Sequence, residues 1–228
     1  MMPLRRHRLA CLTDAGWIDV RARLWDGQAQ ACIDHWALNR LPLVVTRQPA
    51  ADGAAQAAVA LGLPAPTPWG RRRLALQVPR SALAWFDEFP QAADAAALLP
   101  RGPRAAWRAM VQSLAACQAP ARVYGSYGWQ LLTGLAYVRE SSDLDVWVAV
   151  DDAAHADEVA RCLGNFASRQ PCIDGELVFA DGTAVAWREW SAWRAGRARQ
   201  LLVKRLRGAA MADACFMRTT AAALEMAA

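Results

Sequence analysis

Apolar and polar positions change period several times along this chain, and each change marks an element. LPLVVTR (Leu41–Arg47) is a short apolar run that reads as a buried strand, and AAQAAVALGLPAP runs into a Pro/Gly stop. GRRRLALQVP then alternates, so that Leu74, Leu76 and Val78 share one face of a second strand. SALAWFDEF, QAADAAALL and PRAAWRAMVQSLAAC follow with helical spacing, divided by Pro90, Pro100 and Pro103. In the last of them Trp107, Val111 and Leu114 fall on one helical face.

The second half has a different texture. ARVYGS reads as a strand entering a Gly-Ser turn, and YGWQLLTGL has helical spacing that aligns Trp129, Leu132 and Leu135. DLDVWVAV is a strand, AAHADEVARCLGNF an amphipathic helix, CIDGELVF a strand with the turn ADGT after it, and AVAWREW a further strand. LLVKRL reads as a strand ending at an Arg-Gly turn, or as a helix continued from SAWRAGRARQ. The pattern predicts an α+β protein: a small α+β unit over residues 1–82, then a helical connector and a second α+β domain over 83–228, with a mixed sheet flanked by helices.

Composition narrows the class. Apolar residues make up 55% of the 228, with alanine supplying much of the excess, and no apolar run approaches the length of a membrane span. The apolar patch after the basic start is too short for a signal-peptide core, so the expectation is a cytoplasmic protein. Cys11, Cys32, Cys117, Cys162, Cys172 and Cys215 form no C-x-x-C, and with His7, His35 and His155 they give no zinc spacing. They read as reduced, mostly buried thiols. The net charge of +5 suits a partner rich in phosphate or carboxylate. Arginines gather at Arg71–Arg73 and between Arg194 and Arg207, where a solvated face is the simplest reading.

DLD breaks this economy. Asp143 and Asp145 lie two apart on a strand, hence on the same side, and two carboxylates that close repel unless a cation or proton sits between them. Magnesium suits such a pair, being held by one or two carboxylates completed by phosphate oxygens. A strand, a Gly-Ser turn opening a helix, and Asp-x-Asp on the next strand together resemble the polymerase-β-like nucleotidyltransferases. That resemblance implies that Gly125 and Ser126 hold a triphosphate at the helix N-terminus, while Asp143 and Asp145 carry metal. A third carboxylate is expected on an adjoining strand. CIDGELVF offers Asp174 and Glu176, of which Glu176 lies deeper in the strand and is favoured.

Longer strings narrow the resemblance. RVYGSYGWQLLTGLAYV, SDLDVWV, IDGELVFADGTAVAWREW and LLVK, with RHRLACL, LPLVVTR and LGLPAP before them, resemble the malonate decarboxylase holo-acyl-carrier-protein synthases, also called phosphoribosyl-dephospho-CoA transferases. The resemblance implies transfer of a prosthetic group from triphosphoribosyl-dephospho-CoA to a serine of the apo acyl-carrier subunit of malonate decarboxylase, with diphosphate leaving. It implies Mg2+, or Mn2+, held by Asp143, Asp145 and Glu176. Gly125 then allows close backbone approach, and Ser126 donates to the phosphates. Lys204 acts as a point-charge partner for phosphate, with an exposed strand lysine as the plain alternative. Arg47 and Arg71–Arg73 are candidates for gripping the donor or the carrier, while Trp129, Trp187 and Trp190 read as core. Other acceptors remain open: a citrate lyase carrier, a small molecule, or RNA, although no RNA-stacking motif is present. So does an inactive copy of the fold used for binding. No membrane partner is expected.

Overall fold

The run RLALQVP forms a strand whose Leu74, Leu76 and Val78 are buried and whose intervening residues are exposed, as its alternation requires. The computed structural model describes residues 4–49, 58–166, 168 and 170–213. Its chain divides into two units, one holding the residues up to Phe89 with Leu132–Tyr137, the other Pro90–Leu131 with the residues from Val138 onward.

The first unit is built on β1 (Arg8–Leu12), β2 (Leu43–Val45), β3 (Ala58–Pro64), β4 (Arg73–Pro79) and β5 (Leu83–Glu88). They form one antiparallel sheet in the order β4-β3-β2-β1-β5. Its helices are α1 (Asp14–Arg21) and α2 (Gly27–Leu38). Thr13 caps α1 by accepting from Gly16 N, and Asp26 caps α2 by accepting from Gln28 N and Ala29 N. AAQAAVALGLPAP supplies β3, and its residues before Ala58 lie outside the described ones. SALAWFDEF, expected as a helix, is β5 instead. Its Asp87, Phe86 and Trp85 pair with Leu9, Ala10 and Cys11 of β1, and a free sheet edge outweighs a weak helical pattern carried by aromatic residues that favour strands. Because β5 belongs to this sheet, the first unit continues through Phe89, whereas the sequence pattern placed its end at 82.

The second unit holds α3 (Arg104–Ala116), β6 (Ala121–Val123), α4 (Gly125–Thr133, all but its last two residues), β7 (Leu144–Val150), α5 (Ala153–Gly164), β8 (Ile173–Phe179), β9 (Ala184–Ala186), α6 (Trp187–Arg194), β10 (Leu201–Lys204) and β11 (Ala209–Ala212). QAADAAALL forms only a 3-10 turn, Ala92–Ala97, whose Ala92 carbonyl accepts from the buried Trp107 indole at 2.8 Å. The six strands lie in the order β11-β10-β9-β8-β7-β6, antiparallel except for β7 and β8, which run parallel and are joined through α5. The mixed sheet with flanking helices read from the sequence is thus present.

One face of this sheet is the core. Val123, Leu144, Val146, Val148, Leu177, Val185 and Val203 are fully buried there with Trp107 and Leu114 of α3, Val159 and Leu163 of α5, and Trp190 of α6. Burying side chains of this size contributes about 1.5–3 kcal/mol each. AVAWREW, expected as a strand, pairs only through Ala186 and then turns into α6. Trp187 and Trp190, three apart, pack on the core, and Asp157 accepts from the Trp190 indole at 2.9 Å and from Arg194 at 2.6 Å. Among the described cysteines Cys11, Cys32 and Cys162 are buried, Cys117 is half-buried and Cys172 exposed; Cys215 lies outside the described residues. No helix among the described residues is long and apolar enough to cross a membrane.

Candidate active site

Strand register decides which side chains share the other face of the second sheet. Asp145 stands opposite Asp174, and Trp147 opposite both Glu176 on β8 and Arg122 on β6. Partners in a ladder point the same way, and so do residues two apart on a strand. Arg122, Asp145, Trp147, Asp174 and Glu176 therefore lie on one face, with Asp143 just ahead of β7 at its end. Asp143 and Asp174 are exposed, Asp145 is half-buried, and Glu176 is only 4% exposed.

The Gly-Ser bend lies against this face. α4 begins at Gly125, and the Tyr124 amide donates to the Asp145 carbonyl at 2.9 Å, which ties the end of β6 to the start of β7. Gly125 has φ +58°. A β-carbon there would overlap Asp145 Oδ2 and fall 2.7 Å from its Cγ, so only glycine lets the carboxylate approach the first turn of α4. Ser126 occupies that first turn. A second glycine shapes the acids on β8: Gly175, between Asp174 and Glu176, has φ +146°, and a β-carbon on it would lie 2.7 Å from the carbonyl carbon of Val146.

The electrostatics are strained. Burial, then the charges of Asp174, Asp143 and Glu176, push the Asp145 carboxyl up to about 7. Burial and the Asp143 charge also raise the Tyr127 phenol. Negative charge is concentrated where the first turn of α4 presents its backbone amides. Lys204 supplies a counterweight, donating to Glu176 Oε1 at 2.7 Å.

The structure brings Asp143, Asp145, Gly125 and Ser126 together, and it places Lys204 on a strand, one of the two readings open for LLVKRL. Glu176, favoured there as a third metal ligand, is engaged by Lys204, while Asp174 accepts from the amide of Gly175. Among the described residues no group of three or more His, Cys, Asp or Glu side chains could hold a metal ion by itself. The two aspartates still fit a hard divalent cation whose remaining ligands come from phosphate and water, and such a cation would relieve the raised carboxyl of Asp145. Sequence reasoning missed Trp147 and Arg122, although alternation from Asp143 through Asp145 reaches Trp147. The Trp147 indole Nε1 is buried without a hydrogen-bond partner. Arg47 and Arg71–Arg73 are exposed on the first unit, where Arg72 pairs with the helix-capping Asp26 at 2.6 Å. Trp129, Trp187 and Trp190 are buried.

Comparison with known proteins agrees along most of the chain. The family described as phosphoribosyl-dephospho-CoA transferase MdcG, C-terminal domain, matches residues 82–214, and the N-terminal domain of the same family matches residues 5–89. A phosphoribosyl-dephospho-CoA transferase of Bradyrhizobium diazoefficiens is 34% identical over 216 residues, covering 92% of this chain and 91% of that protein. Proteins of the same name from Xanthomonas axonopodis pv. citri and Xanthomonas euvesicatoria pv. vesicatoria are 37% and 36% identical over 205 residues, each covering 87% of this chain and 89% of the relative. No solved structure matches the chain. With both family domains matched in order and relatives aligned over nearly their whole length, the chain belongs to the phosphoribosyl-dephospho-CoA transferase family.

Proposed function

We propose that this protein is a cytoplasmic transferase that moves the phosphoribosyl-dephospho-CoA group from its triphosphoribosyl donor to a serine of the apo acyl-carrier subunit of malonate decarboxylase, and that its second unit is a polymerase-β-like nucleotidyltransferase domain. The observation that carries the reading is the seating of the Asp145 carboxylate against Gly125, where a β-carbon would overlap it. That contact sets the Asp145 carboxylate at the first turn of a helix, and helix N-termini receive phosphate.

Asp143 and Asp145 would hold Mg2+ or Mn2+, which supplies charge neutralisation at the phosphates and at the leaving diphosphate. The chain's own residues do the rest. Gly125 and Ser126 present backbone amides, and Ser126 its hydroxyl, to the terminal phosphates. Lys204 adds a point charge on the same face of the sheet. The serine hydroxyl gives up its proton to water and its oxygen bonds to the α-phosphorus as the bond to diphosphate breaks, which leaves the prosthetic group on the carrier as a phosphodiester.

Mass spectrometry of purified apo-carrier after incubation with enzyme, donor and Mg2+ tests this. The expected result is a mass gain equal to the prosthetic group, absent without divalent metal and reduced about 100-fold in initial rate or more by Asp143→Asn. Absence of an adduct with any divalent metal, or efficient transfer of plain nucleotides to RNA instead, overturns it.

A further inference from the structure

Glu176 and Lys204 meet across a strand that separates them. β9 lies between β8 and β10, and register sets Ala186 opposite Glu176 and Ala184 opposite both Val178 and Lys204. All five positions face the same way as Asp145 and Trp147. Only the methyl groups of Ala184 and Ala186 stand on this face of the intervening strand. Past them two long side chains reach one another, Lys204 Nζ lying 2.7 Å from Glu176 Oε1.

The two ends of this pair differ in exposure. The Glu176 side chain is 5% exposed and the Lys204 side chain 32%. A carboxylate that deep is tolerable because a cation meets it, and removing the cation would strand it. An ammonium has three donors, so one bond to Glu176 leaves two for a ligand approaching this face.

We infer that Glu176 is a positioning residue, which holds the Lys204 ammonium on the sheet for the phosphates of the donor, and is not itself a metal ligand. The phosphate-binding role of Lys204 rests on the proposed function, whereas the claim about Glu176 separates from it. If Glu176 acts through Lys204, losing either one has the same consequence, losing both adds nothing, and metal affinity does not follow. A metal ligand behaves in the opposite way.

Two binding measurements decide this without any transfer reaction. One is Mn2+ affinity of the full chain by electron paramagnetic resonance, and the other is affinity for inorganic tripolyphosphate by calorimetry in the presence of Mg2+. Lys204→Met and Glu176→Ala are each expected to weaken tripolyphosphate about tenfold, the scale of one charge-assisted hydrogen bond. The double variant is expected to match Lys204→Met alone, with Mn2+ affinity within about twofold of the unaltered protein in all three. Glu176→Gln keeps an acceptor for the ammonium and should recover most of the loss. Ala186→Leu, which puts a bulky side chain directly opposite Glu176 and leaves both charged groups in place, should reproduce the loss; it and Glu176→Gln decide the matter should Glu176→Ala fail to fold.

A tenfold weaker Mn2+ affinity in Glu176→Gln overturns the inference in favour of metal ligation. So do additive losses in the double variant, or an unaltered protein that binds no tripolyphosphate. The parent reading fails separately: Asp143→Asn that retains full Mn2+ affinity removes the proposed metal site but leaves the coupling between residues 176 and 204 to be read on its own.

Discussion

The two sheets of this protein follow one rule on their core sides and opposite rules on their other sides. In the first unit the inward residues of β3 and β4 are Val, Leu, Leu and Leu, Leu, Val, and the outward ones are Ala58, Ala60, Gly62 and Pro64, then Arg73, Ala75, Gln77 and Pro79. In the second unit the core side is equally aliphatic, yet its other side carries Arg122, Asp145, Trp147, Asp174, Glu176 and Lys204. Outward residues that are small, neutral or, like Arg73, exposed to water cost little and recognise little. Burial, and then the charges of three neighbouring acids, push the Asp145 carboxyl up to about 7, which destabilises the fold unless something cationic answers it. A sheet that keeps such a cost is being used on that side.

The sharpest way to break the contrast is at Gly125. Gly125→Ala drives a methyl into the Asp145 carboxylate and leaves the core side untouched, so transfer to the carrier should fall about 100-fold or more, the loss that a misplacement of roughly 1 Å can cause. Alanine at positive φ costs only about 1–2 kcal/mol, so the melting temperature should drop by a few degrees and leave a folded, inactive protein. Calorimetry and a carrier-modification rate on the same sample separate the two effects. Gly175→Ala should do the reverse. Its methyl strikes the backbone of Val146 in the middle of the sheet, and the expected loss is about 3 kcal/mol of stability, read by urea unfolding.

These glycines also show how far the sequence could be read. The Gly-Ser turn, the acid pair and the α+β pattern were legible because each is local: a period of two, a turn residue, an apolar face. What pairs across the sheet was not. SALAWFDEF has a helical pattern in isolation and becomes β5 only because β1 offers an edge. AVAWREW, with the SAW that follows it, hides a period of three in Trp187, Trp190 and Trp193 behind a strand-like start. Glu176 and Lys204 lie twenty-eight positions apart, and the small residues that let them meet, Ala184 and Ala186, look like any other alanines. Trp147 was within reach, since alternation carries the acid face directly to it.

A smaller effect sharpens the same comparison through pH. The Asp145 carboxyl has an ordinary value of 3.8 and sits at about 7 in the folded chain. Between those values the folded state holds the proton that the unfolded state has released, so stability falls as pH rises through that window, and the penalty is complete above it. Asparagine at this position carries no charge to desolvate. Without divalent metal, Asp145→Asn should therefore melt about 2–4 °C above the unaltered protein at pH 8, and the gap should close as the pH is lowered toward 4. A variant that melts lower at pH 8 would show that the carboxylate is stabilised by a partner, contrary to its crowding by Asp174, Asp143 and Glu176.

The first sheet supplies the weakest response and the control for all the others. Gln77 is an exposed, outward residue of β4, on a face with no acid opposite it on β3, where its partner is Ala60. A charge placed there by Gln77→Glu keeps its water and meets no crowd, so stability should change by no more than about 0.5 kcal/mol and transfer should not change at all. The same glutamate chemistry that is tolerated at position 77 is buried at position 176 only with a lysine bound to it. Should Gln77→Glu cost as much as Gly175→Ala, then the outward side of the first sheet is not the indifferent surface that its alanines suggest, and the contrast between the two sheets would have to be drawn elsewhere.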